Sequence, residues 1–551
     1  ANYEIKSGCF ITNVGTLSCT RGTAFGNGTL VAAVNENGGR KIPIFDQLSA
    51  QIAHILVFHR ISGELLEIIL NMIEKYVKRQ KKLVRGVIGE QTKIVNCRAI
   101  LNVKIGNGAL VSGAELLENG SINSDFQGRT LVGAGVIAKN FIFSTSAKIT
   151  DGALIERCFV GQGSEISKGF SATDCLIFSN CELMNGEAVS LFAAPYTVSH
   201  HKSNLLIACA LSFANIGSGT NMSNHAYKLG AVHQGVMERG CKFASNSYLL
   251  FPAHIGAFSV IFGSHKNHPN IADLPFSYLM EENGQSVLIP AVNLFRIGTL
   301  RDVNKWQNRD KRQGEIFLDT ITYDFLNPLI IIKIENAIKI LNDLREKTPD
   351  AEYFEYGNCK IHRHSLKKAV EYYQDALTVF MGEYLVHHCG LDPQSLDKQT
   401  ILKQVQTDSK IEENIFKFDE WVDLSGLILP KDVLFNVWHY ILVNNKPNFQ
   451  YLNEEFKSIE NMYQELAGYF TENFIVKQNI SPNEILEQYF SVIEKISKRL
   501  EKEAATEFFG NSKISYGVDL PKYKDRDFEN VRGHLENDLS LQNILEKFKK
   551  N

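Results

Sequence analysis

Polar side chains gather between residues 191 and 270, and their types suit the binding of an anion and the transfer of a proton. The window holds seven of the fifteen histidines of the chain, namely His200, His201, His225, His233, His254, His265 and His268. Glu238 is the one acidic residue between Glu187 and Asp273. Lysine and arginine bind phosphate oxygens through charge-assisted hydrogen bonds, and an imidazole can take up a proton near neutral pH. The window therefore predicts a site for a phosphate-bearing ligand, such as a thioester cofactor or a nucleotide sugar.

Four cations of the window are predicted to neutralise the charge of such a ligand: Lys228, Arg239, Lys242 and Lys266. Two structural roles remain open for the histidines. Their side chains could stack from repeat to repeat as polar ladders on a solvated face, or they could form contacts between subunits of a trimer. A buried polar group without a partner costs about 1–3 kcal/mol, so most of these side chains are expected at outward positions and in loops.

The elements that must position these residues follow a repeated phrase, an apolar residue followed by Gly-x-Gly. Copies begin at residues 25, 105, 132, 160 and 216. Between them apolar residues recur every six positions, as in Phe143, Ile149 and Ile155. A period of six fits neither a helix nor a plain strand, but it suits a parallel β-helix in which three six-residue units form one coil. The alternative, a β-sandwich, predicts a period of two.

Helical patterns interrupt this repeat and then replace it. Residues 61–84 carry apolar side chains at helical spacing, which predicts a helix inserted between two coils. After residue 301, four segments show the i, i+3, i+4, i+7 pattern, at 320–347, 365–388, 452–478 and 481–509. We therefore expect a β-helix over 1–300, with the helical insertion at 61–84, and an α-helical domain over 301–551. Residues 387–410 are predicted to form a polar, flexible insertion in that domain.

Composition argues against several classes of protein. The chain has 551 residues and a formal net charge of −3, so no bulk attraction to nucleic acid or to a membrane surface is expected. No apolar run reaches 18 residues, which predicts no membrane span. The ten cysteines form no Cys-x-x-Cys pair, so no metal site is expected. They are expected to act as small buried hydrophobic residues in a reducing cytoplasm. The first residues resemble neither a signal peptide nor an initiator methionine, so the numbering is expected to begin inside a longer chain.

The six-residue repeat, the phrase "IGSGTN" and the histidine-bearing loop resemble the left-handed β-helix transferases, the hexapeptide-repeat superfamily. More specific stretches are "FGNGTLVAAVNENGGRKIPIFDQLSAQ", "DLPFSYLMEENGQSVLIPAVNLFRIGTLRD" and "KWQNRDKR". These resemble a long, functionally uncharacterised bacterial family of hexapeptide proteins with a helical C-terminal domain, and the likeness covers most of the chain. The resemblance implies a left-handed parallel β-helix, a homotrimer, and active sites in clefts between neighbouring β-helices.

The chemistry that the resemblance implies is acyl transfer. A histidine takes a proton from an acceptor amine or hydroxyl, which attacks the thioester of an acyl-CoA or an acyl carrier protein, while a backbone N–H holds the oxyanion. A histidine in an asparagine-rich coil or loop has this role, which points to His225 or His233. Asn221 and Asn224 are expected to orient the base or the acceptor. His265 and His268 form a second candidate pair on a later coil.

Two departures from the superfamily bear on its expected function. Its simple acyltransferases end in a short cap, whereas this chain adds the helical residues 301–551 and the insertion at 61–84. The leading expectation is transfer of an acyl group onto a sugar or nucleotide sugar. One alternative is a relative of the sugar nucleotidyltransferases, which would need carboxylates to hold Mg²⁺. The other is a non-catalytic trimeric scaffold that binds a nucleotide sugar or a protein partner.

Overall fold

A parallel β-solenoid forms the first half of the chain in the computed structural model, which describes residues 2–60, 63–225, 227–388, 419–443 and 448–549. Each strand pairs in parallel with a strand one coil further on, and the register advances by 17 residues from Ala99 to Leu116 and again from Ile137 to Leu154. This confirms the solenoid predicted from the six-residue period. The β-sandwich alternative is wrong, because coil neighbours are parallel.

The strands of the first half are short, as flat faces separated by corners require. In chain order β1 to β33 are Tyr3–Ile5, Phe10–Thr12, Thr16–Ser18, Leu30–Ala32, Lys41–Pro43, Gly86–Ile88, Lys93–Val95, Ala99–Ile105, Leu110–Ser112, Leu116–Ile122, Leu131–Val132, Ile137–Phe143, Lys148–Ile149, Leu154–Val160, Glu165–Ser167, Ser171–Thr173, Leu176–Ile177, Glu182–Met184, Glu187–Val189, Phe192–Ala193, Val198–Ser199, Leu205–Ile207, Cys209–Leu211, Asn215–Ile216, Asn221–Ser223, Gly235–Met237, Lys242–Phe243, Tyr248–Leu250, Ala253–Ile255, Val260–Phe262, Ser264–His265, Tyr278–Glu282 and Gln285–Ile289.

The aliphatic residues of the repeat fill the solenoid core. Val160, Ile166, Ile177 and Leu183, which the six-residue period selects, have no exposed surface. Six cysteines occupy further buried positions and act as small hydrophobes; they are Cys97, Cys158, Cys175, Cys181, Cys209 and Cys241.

Polar ladders stack from coil to coil at one corner, and they consist of asparagine. Asn102, Asn119 and Asn140 all adopt positive φ, between 51° and 57°. Asparagine tolerates this left-handed conformation better than most residues. The amide of Asn102 donates to Oδ1 of Asn119 at 3.2 Å, and Asn119 donates to Asn140 at 3.4 Å. Corners are therefore turned by asparagine as well as by glycine, which the Gly-x-Gly phrase alone did not indicate.

An excursion, described over residues 19–60 and 63–85, leaves the solenoid after its first coil. It contains the antiparallel pair β4–β5 and two helices, α1 (Ala50–Phe58) and α2 (Gly63–Lys81). The predicted insertion at 61–84 corresponds to α2. Helix α1 was not predicted, since its sequence AQIAHILVF is apolar on nearly every side and so lacks the one-sided pattern of a surface helix. The Gly-x-Gly copy at residue 25 also lies in this excursion and not in a coil.

The excursion packs on an outer face of the solenoid. Apolar residues of α1 share one buried cluster with the outward side chains of Phe159, Leu176 and Phe178. A Cβ added to Gly26 would lie 2.4 Å from the carbonyl oxygen of Phe141, so the two backbones touch at a distance that only glycine allows. The excursion is thus held against the coils that contain Phe141, Phe159 and Phe178.

The helical region follows β33 and covers both the end of the solenoid and the excursion. Its helices α3 to α10 are Ile297–Asn308, Pro328–Lys347, Arg363–His388, Lys431–Val443, Phe449–Gln478, Pro482–Ala505, Lys524–Arg532 and Leu539–Lys549, with 3-10 turns at Gly510–Lys513, Pro521–Tyr523 and Leu535–Asn537. Two hairpins, β34–β35 (Tyr353–Tyr356, Cys359–His362) and β36–β37 (Trp421–Leu424, Leu427–Pro430), interrupt it. A solenoid with helices after it is the fold class that the sequence predicted.

N-capping residues in the sequence mark where two of these helices begin. The hydroxyl of Ser481 accepts a hydrogen bond from the Glu484 N–H at 3.3 Å, as the Ser-Pro-Asn-Glu motif predicts. The pattern at 320–347 gives a helix only from Pro328, where Asn327 caps the N-terminus. Most of the predicted polar insertion, residues 389–410, lies outside the described residues. In the described part of the chain, no helix combines the length and apolar character needed to span a bilayer.

Candidate functional site

The predicted catalytic histidines lie between β25 and β26 in a loop whose described residues are 224–225 and 227–234. Asn221 pairs with Tyr248, 27 residues further along the chain, whereas a regular coil advances by 17. The difference corresponds to the inserted loop. The loop contacts the turn at 35–40, because a Cβ on Gly230 would lie 2.5 Å from the amide nitrogen of Asn37. Arg40 also donates to the side chain of Gln234.

Two of the predicted histidines meet through a tyrosine in this loop. The ring of Tyr227 lies 3.8 Å from that of His233, centroid to centroid. The Tyr227 hydroxyl is 3.2 Å from Nε2 of His268. His225 is exposed, and its backbone N–H donates to Ser223 at 3.3 Å. The loop therefore brings His233 and His268 together and leaves His225 toward solvent.

The two predicted asparagines lie at the base of the loop. Asn224 is fully buried, and its amide donates to the carbonyl oxygen of His233 at 3.2 Å. The side-chain oxygens of Asn221 and Asn224 are buried and have no partner among the described residues. Asn224 thus fixes the backbone that carries His233.

The remaining predicted binding residues differ in their surroundings. Lys228 and Lys266 are exposed. Lys242 contacts Asp302 at 2.8 Å and the Gly298 carbonyl at 2.9 Å. His265 is buried between Ser286 at 2.7 Å and the Phe262 carbonyl at 3.1 Å. Burial lowers the pKa of His265, so its imidazole is neutral.

Arg239 is a buried connector between the solenoid and the helical region. Its guanidinium donates to Asp423 at 2.9 Å and to the carbonyls of Thr322 at 2.6 Å and Gly426 at 2.8 Å. It also lies 4.3 Å from the ring centroid of Phe213. Its charge is therefore compensated by protein groups.

A cavity of about 300 Å³ lies where four segments meet: the solenoid face, α1, α4 and the hairpin β36–β37. Its apolar lining includes Phe58, Phe192, Leu211, Met237, Ile330 and Trp421. The volume is at the lower end of the range for small-molecule sites, which are largely apolar with a few placed polar groups. An aliphatic chain fits this composition.

The polar groups of the cavity centre on Glu238. Its Oε1 accepts from Lys333 at 2.7 Å and lies 3.1 Å from Nε2 of His254, while Oε2 accepts from the Ala257 N–H at 3.2 Å. Burial raises the pKa of Glu238, but Lys333 and His254 outweigh that effect and lower it overall. The carboxylate is therefore ionised and orients the His254 ring.

His254 also lines the cavity. It lies on β29, beside Val236 of β26, and 42% of its side chain is exposed. Its Nε2 faces the Glu238 carboxylate, an arrangement that favours the tautomer with a hydrogen on Nε2. In the general pattern of an acid–base site, a third group orients the base. The contact between Glu238 and His254 has the geometry of such a pair.

A second histidine lines the same cavity from α1. Nδ1 of His54 is 2.8 Å from the hydroxyl of Ser425, in the turn of hairpin β36–β37. Enclosure by protein, together with the nearby His59, lowers the pKa of His54 to about 3. His54 is thus a neutral hydrogen-bonding group that ties α1 to the hairpin.

The sequence did not indicate Glu238, Lys333 or His54 as site residues, and it placed His254 in the histidine-rich window without marking it as a candidate base. A signal for one pair was present. Glu238 and His254 are 16 residues apart, about one coil, so a solenoid brings them together. Lys333 and His54 come from segments whose placement no local period predicts. Among the described residues, no group of three or more His, Cys, Asp or Glu side chains is arranged to hold a metal ion.

Comparisons with known proteins place the chain in a family without assigning it a chemistry. Residues 1–345 match the model described as "Domain of unknown function (DUF4954)", and residues 397–551 match "Domain of unknown function (DUF6819)". An uncharacterized protein of Treponema pallidum (strain Nichols) is 26% identical over 373 residues, which cover 63% of this chain and 50% of that protein. The chain thus spans about half the length of that relative. The DUF4954 match covers more than half of the residues of this chain, so the chain belongs to the DUF4954 family.

Proposed function

We propose that the chain is a transferase that moves an acyl group from a thioester to a hydroxyl or amine, in the cavity beside His254. The observation that carries the proposal is the 3.1 Å contact between His254 Nε2 and Glu238 Oε1 at the edge of an apolar cavity. A base held by a carboxylate next to an apolar space suits a reaction that takes a proton from one substrate and accommodates a hydrocarbon group of another.

The proposed step balances within the groups at hand. Nδ1 of His254 takes the proton of the acceptor O–H or N–H as the oxygen or nitrogen bonds to the thioester carbonyl carbon. The tetrahedral intermediate then breaks its C–S bond. The departing sulfur takes the proton from His254, so that a free thiol and an acylated acceptor result and the imidazole is neutral again.

The donor of the proposal is an acyl-CoA or an acyl carrier protein, and the acceptor is a sugar or nucleotide sugar. The acyl group would lie against Phe192, Leu211 and Met237. Each buried CH₂ contributes about 0.8 kcal/mol to binding, so the cavity favours donors with several carbons over acetyl donors.

His225 and His233, with Asn221, remain the second location for the base. His233 is in contact with Tyr227, and the loop that carries both is anchored by Asn224. Replacement of His254 and of His233, each by glutamine, distinguishes the two locations, because only one of the two changes should abolish turnover.

The homotrimer implied by the resemblance is part of the proposal. Light scattering should then give a mass three times the 61.9 kDa of one chain. A single-chain mass would contradict the trimer and leave the His254 cavity, which one chain forms alone, as the site to test.

The experiment for the proposed function is release of free thiol from acyl-CoA and acyl carrier protein donors, with sugars and nucleotide sugars as acceptors. A general base contributes about 10²–10⁴-fold, so His254→Gln should lower turnover at least a hundredfold. Thiol release that is unchanged in His254→Gln would contradict the role of His254. No thiol release by the unaltered chain with any donor would overturn acyl transfer and favour the non-catalytic scaffold.

A further inference from the structure

A second cavity, of about 360 Å³, lies on the neighbouring face of the same coils, between the solenoid and α3. Four fixed cations line it: Lys242, Arg301, Lys305 and Arg309. Two carboxylates, Glu182 and Asp302, and two histidines, His200 and His201, complete its charged lining. Arg239 and Phe213, stacked at the corner between the two faces, separate this cavity from the one that holds His254.

Protein partners neutralise only part of this charge. Asp302 contacts Lys242 at 2.8 Å and Arg301 at 3.7 Å. Glu182 is held by His200 and by Lys311, and these contacts lower its pKa to about 2. Both carboxylates are therefore already paired with cations.

Lys305 and Arg309 are the cations of this cavity whose side chains pair with no described residue. The amino group of Lys305 has no hydrogen bond or ion pair with any described residue, although the side chain is only partly exposed. Burial lowers the pKa of Lys305 and Arg301 lowers it further, while Asp302 acts in the opposite direction. Asp302, the carboxylate that acts on this partly buried ammonium, is already paired with Lys242 and Arg301, so several cations share its charge.

The helix itself does not account for this arrangement. Arg301, Lys305 and Arg309 are spaced four residues apart along α3 and its C-terminal cap, and like charges at this spacing destabilise a helix. The helix dipole favours cations in the last turn, but it does not bring Lys242 and His200 of the solenoid to the same cavity.

A neutral polar group points to the same conclusion. Thr299 lines the cavity, is 2% exposed, and its hydroxyl has no partner among the described residues. A buried hydroxyl without a partner is costly, and a hydroxyl can donate to an anionic oxygen.

We propose that this cavity binds a phosphorylated small molecule, with Lys305, Arg301 and Lys242 around its phosphate groups. The site uses Lys242 of the cations predicted from the sequence and adds Arg301, Lys305 and Arg309, which lie outside the histidine-rich window. Phosphate oxygens are strong acceptors for lysine and arginine, and the volume is in the range of small-molecule sites. The inference is independent of acyl transfer, since none of these cations lines the His254 cavity.

The test is calorimetric titration of the full chain with inorganic pyrophosphate at low salt. The unaltered chain should bind it, and Lys305→Met should weaken binding at least tenfold. Lys347→Met, at the exposed C-terminal end of α4, removes a cation from a comparable helix position and should leave binding unchanged. Equal melting temperatures would show that each variant is folded.

Two further titrations identify the source of the phosphate. Uridine diphosphate binding more tightly than pyrophosphate assigns a nucleotide, and coenzyme A binding more tightly assigns a cofactor; in either case Lys305→Met must weaken the binding. The proposal is overturned if the unaltered chain binds none of the three probes, or if Lys305→Met binds them as the unaltered chain does.

Discussion

Arg239 of the solenoid donates from its Nε to Oδ2 of Asp423 in hairpin β36–β37, at 2.9 Å. The same guanidinium donates to two carbonyls of the helical region, those of Thr322 and Gly426. One side chain thus joins the coils to the hairpin that closes the His254 cavity. The Arg239–Asp423 pair is largely removed from water, so loss of the pair should lower the free energy of unfolding.

Arg239→Met should destabilise the chain by about 3–5 kcal/mol, since it leaves Asp423 and two carbonyl oxygens without their donor. Urea unfolding measures the change. Lys498→Met, which breaks the exposed pair with Glu494 on α8, should change little because exposed pairs contribute little. Equal effects of the two substitutions would contradict the connecting role of Arg239.

Acid should destabilise the chain partly through His54. Its pKa is about 3 in the folded chain, against about 6.5 in the unfolded chain. The unfolded state therefore binds the proton first as the pH falls, and the stability that is complete above pH 6.5 is lost progressively toward pH 3. Between pH 7 and pH 5 this group should remove about 1–2 kcal/mol.

His54→Gln isolates that contribution. Other histidines with lowered pKa, His59 and His265, act in the same direction in both proteins. The unfolding free energy of the variant should thus fall less between pH 7 and pH 5 than that of the unaltered chain. An identical fall in both would show that His54 gains its proton as readily in the folded chain.

Glycine 120 should not tolerate even a methyl group. A Cβ on Gly120 would lie 2.2 Å from the ring of Phe141, its pairing partner one coil on. Because Phe141 is fully buried, Gly120→Ala should destabilise the solenoid by about 1–3 kcal/mol. Gly63→Ala is the matched control, as nothing lies within 4 Å of that Cβ; thermal unfolding that falls equally in both would refute the close packing at Gly120.

Glu238→Gln should impair turnover while leaving substrate binding nearly intact. The amide keeps the size of the side chain but removes the charge that orients His254, so kcat should fall by a hundredfold or more with little change in KM. Lys333→Met should affect kcat less, because it leaves the carboxylate beside His254. A rise in KM without a fall in kcat would assign Glu238 to binding instead.

The solenoid could be predicted from sequence because each coil is formed by residues that are close together in the chain. One apolar residue in every six, such as Val160 and Ile166, is enough to specify it. Helix α1 could not be predicted in the same way. It is buried on nearly all sides, so its sequence lacks the alternation of apolar and polar residues that marks a surface helix. The His254 cavity depends on contacts between distant segments, among them Glu238 with Lys333, 95 residues apart, and such contacts follow from packing and not from spacing.

The most direct test of the proposed site is a calorimetric measurement of affinity. Octanoyl-CoA and CoA are each titrated into the unaltered chain and into Ala210→Leu. Ala210 lines the cavity and is largely buried, so leucine there should fill space that the acyl group needs. The octanoyl group should tighten binding to the unaltered chain, and Ala210→Leu should remove this advantage while CoA binding is kept. Equal affinity for the two ligands, or an advantage that survives Ala210→Leu, would contradict the placement of the acyl group beside His254.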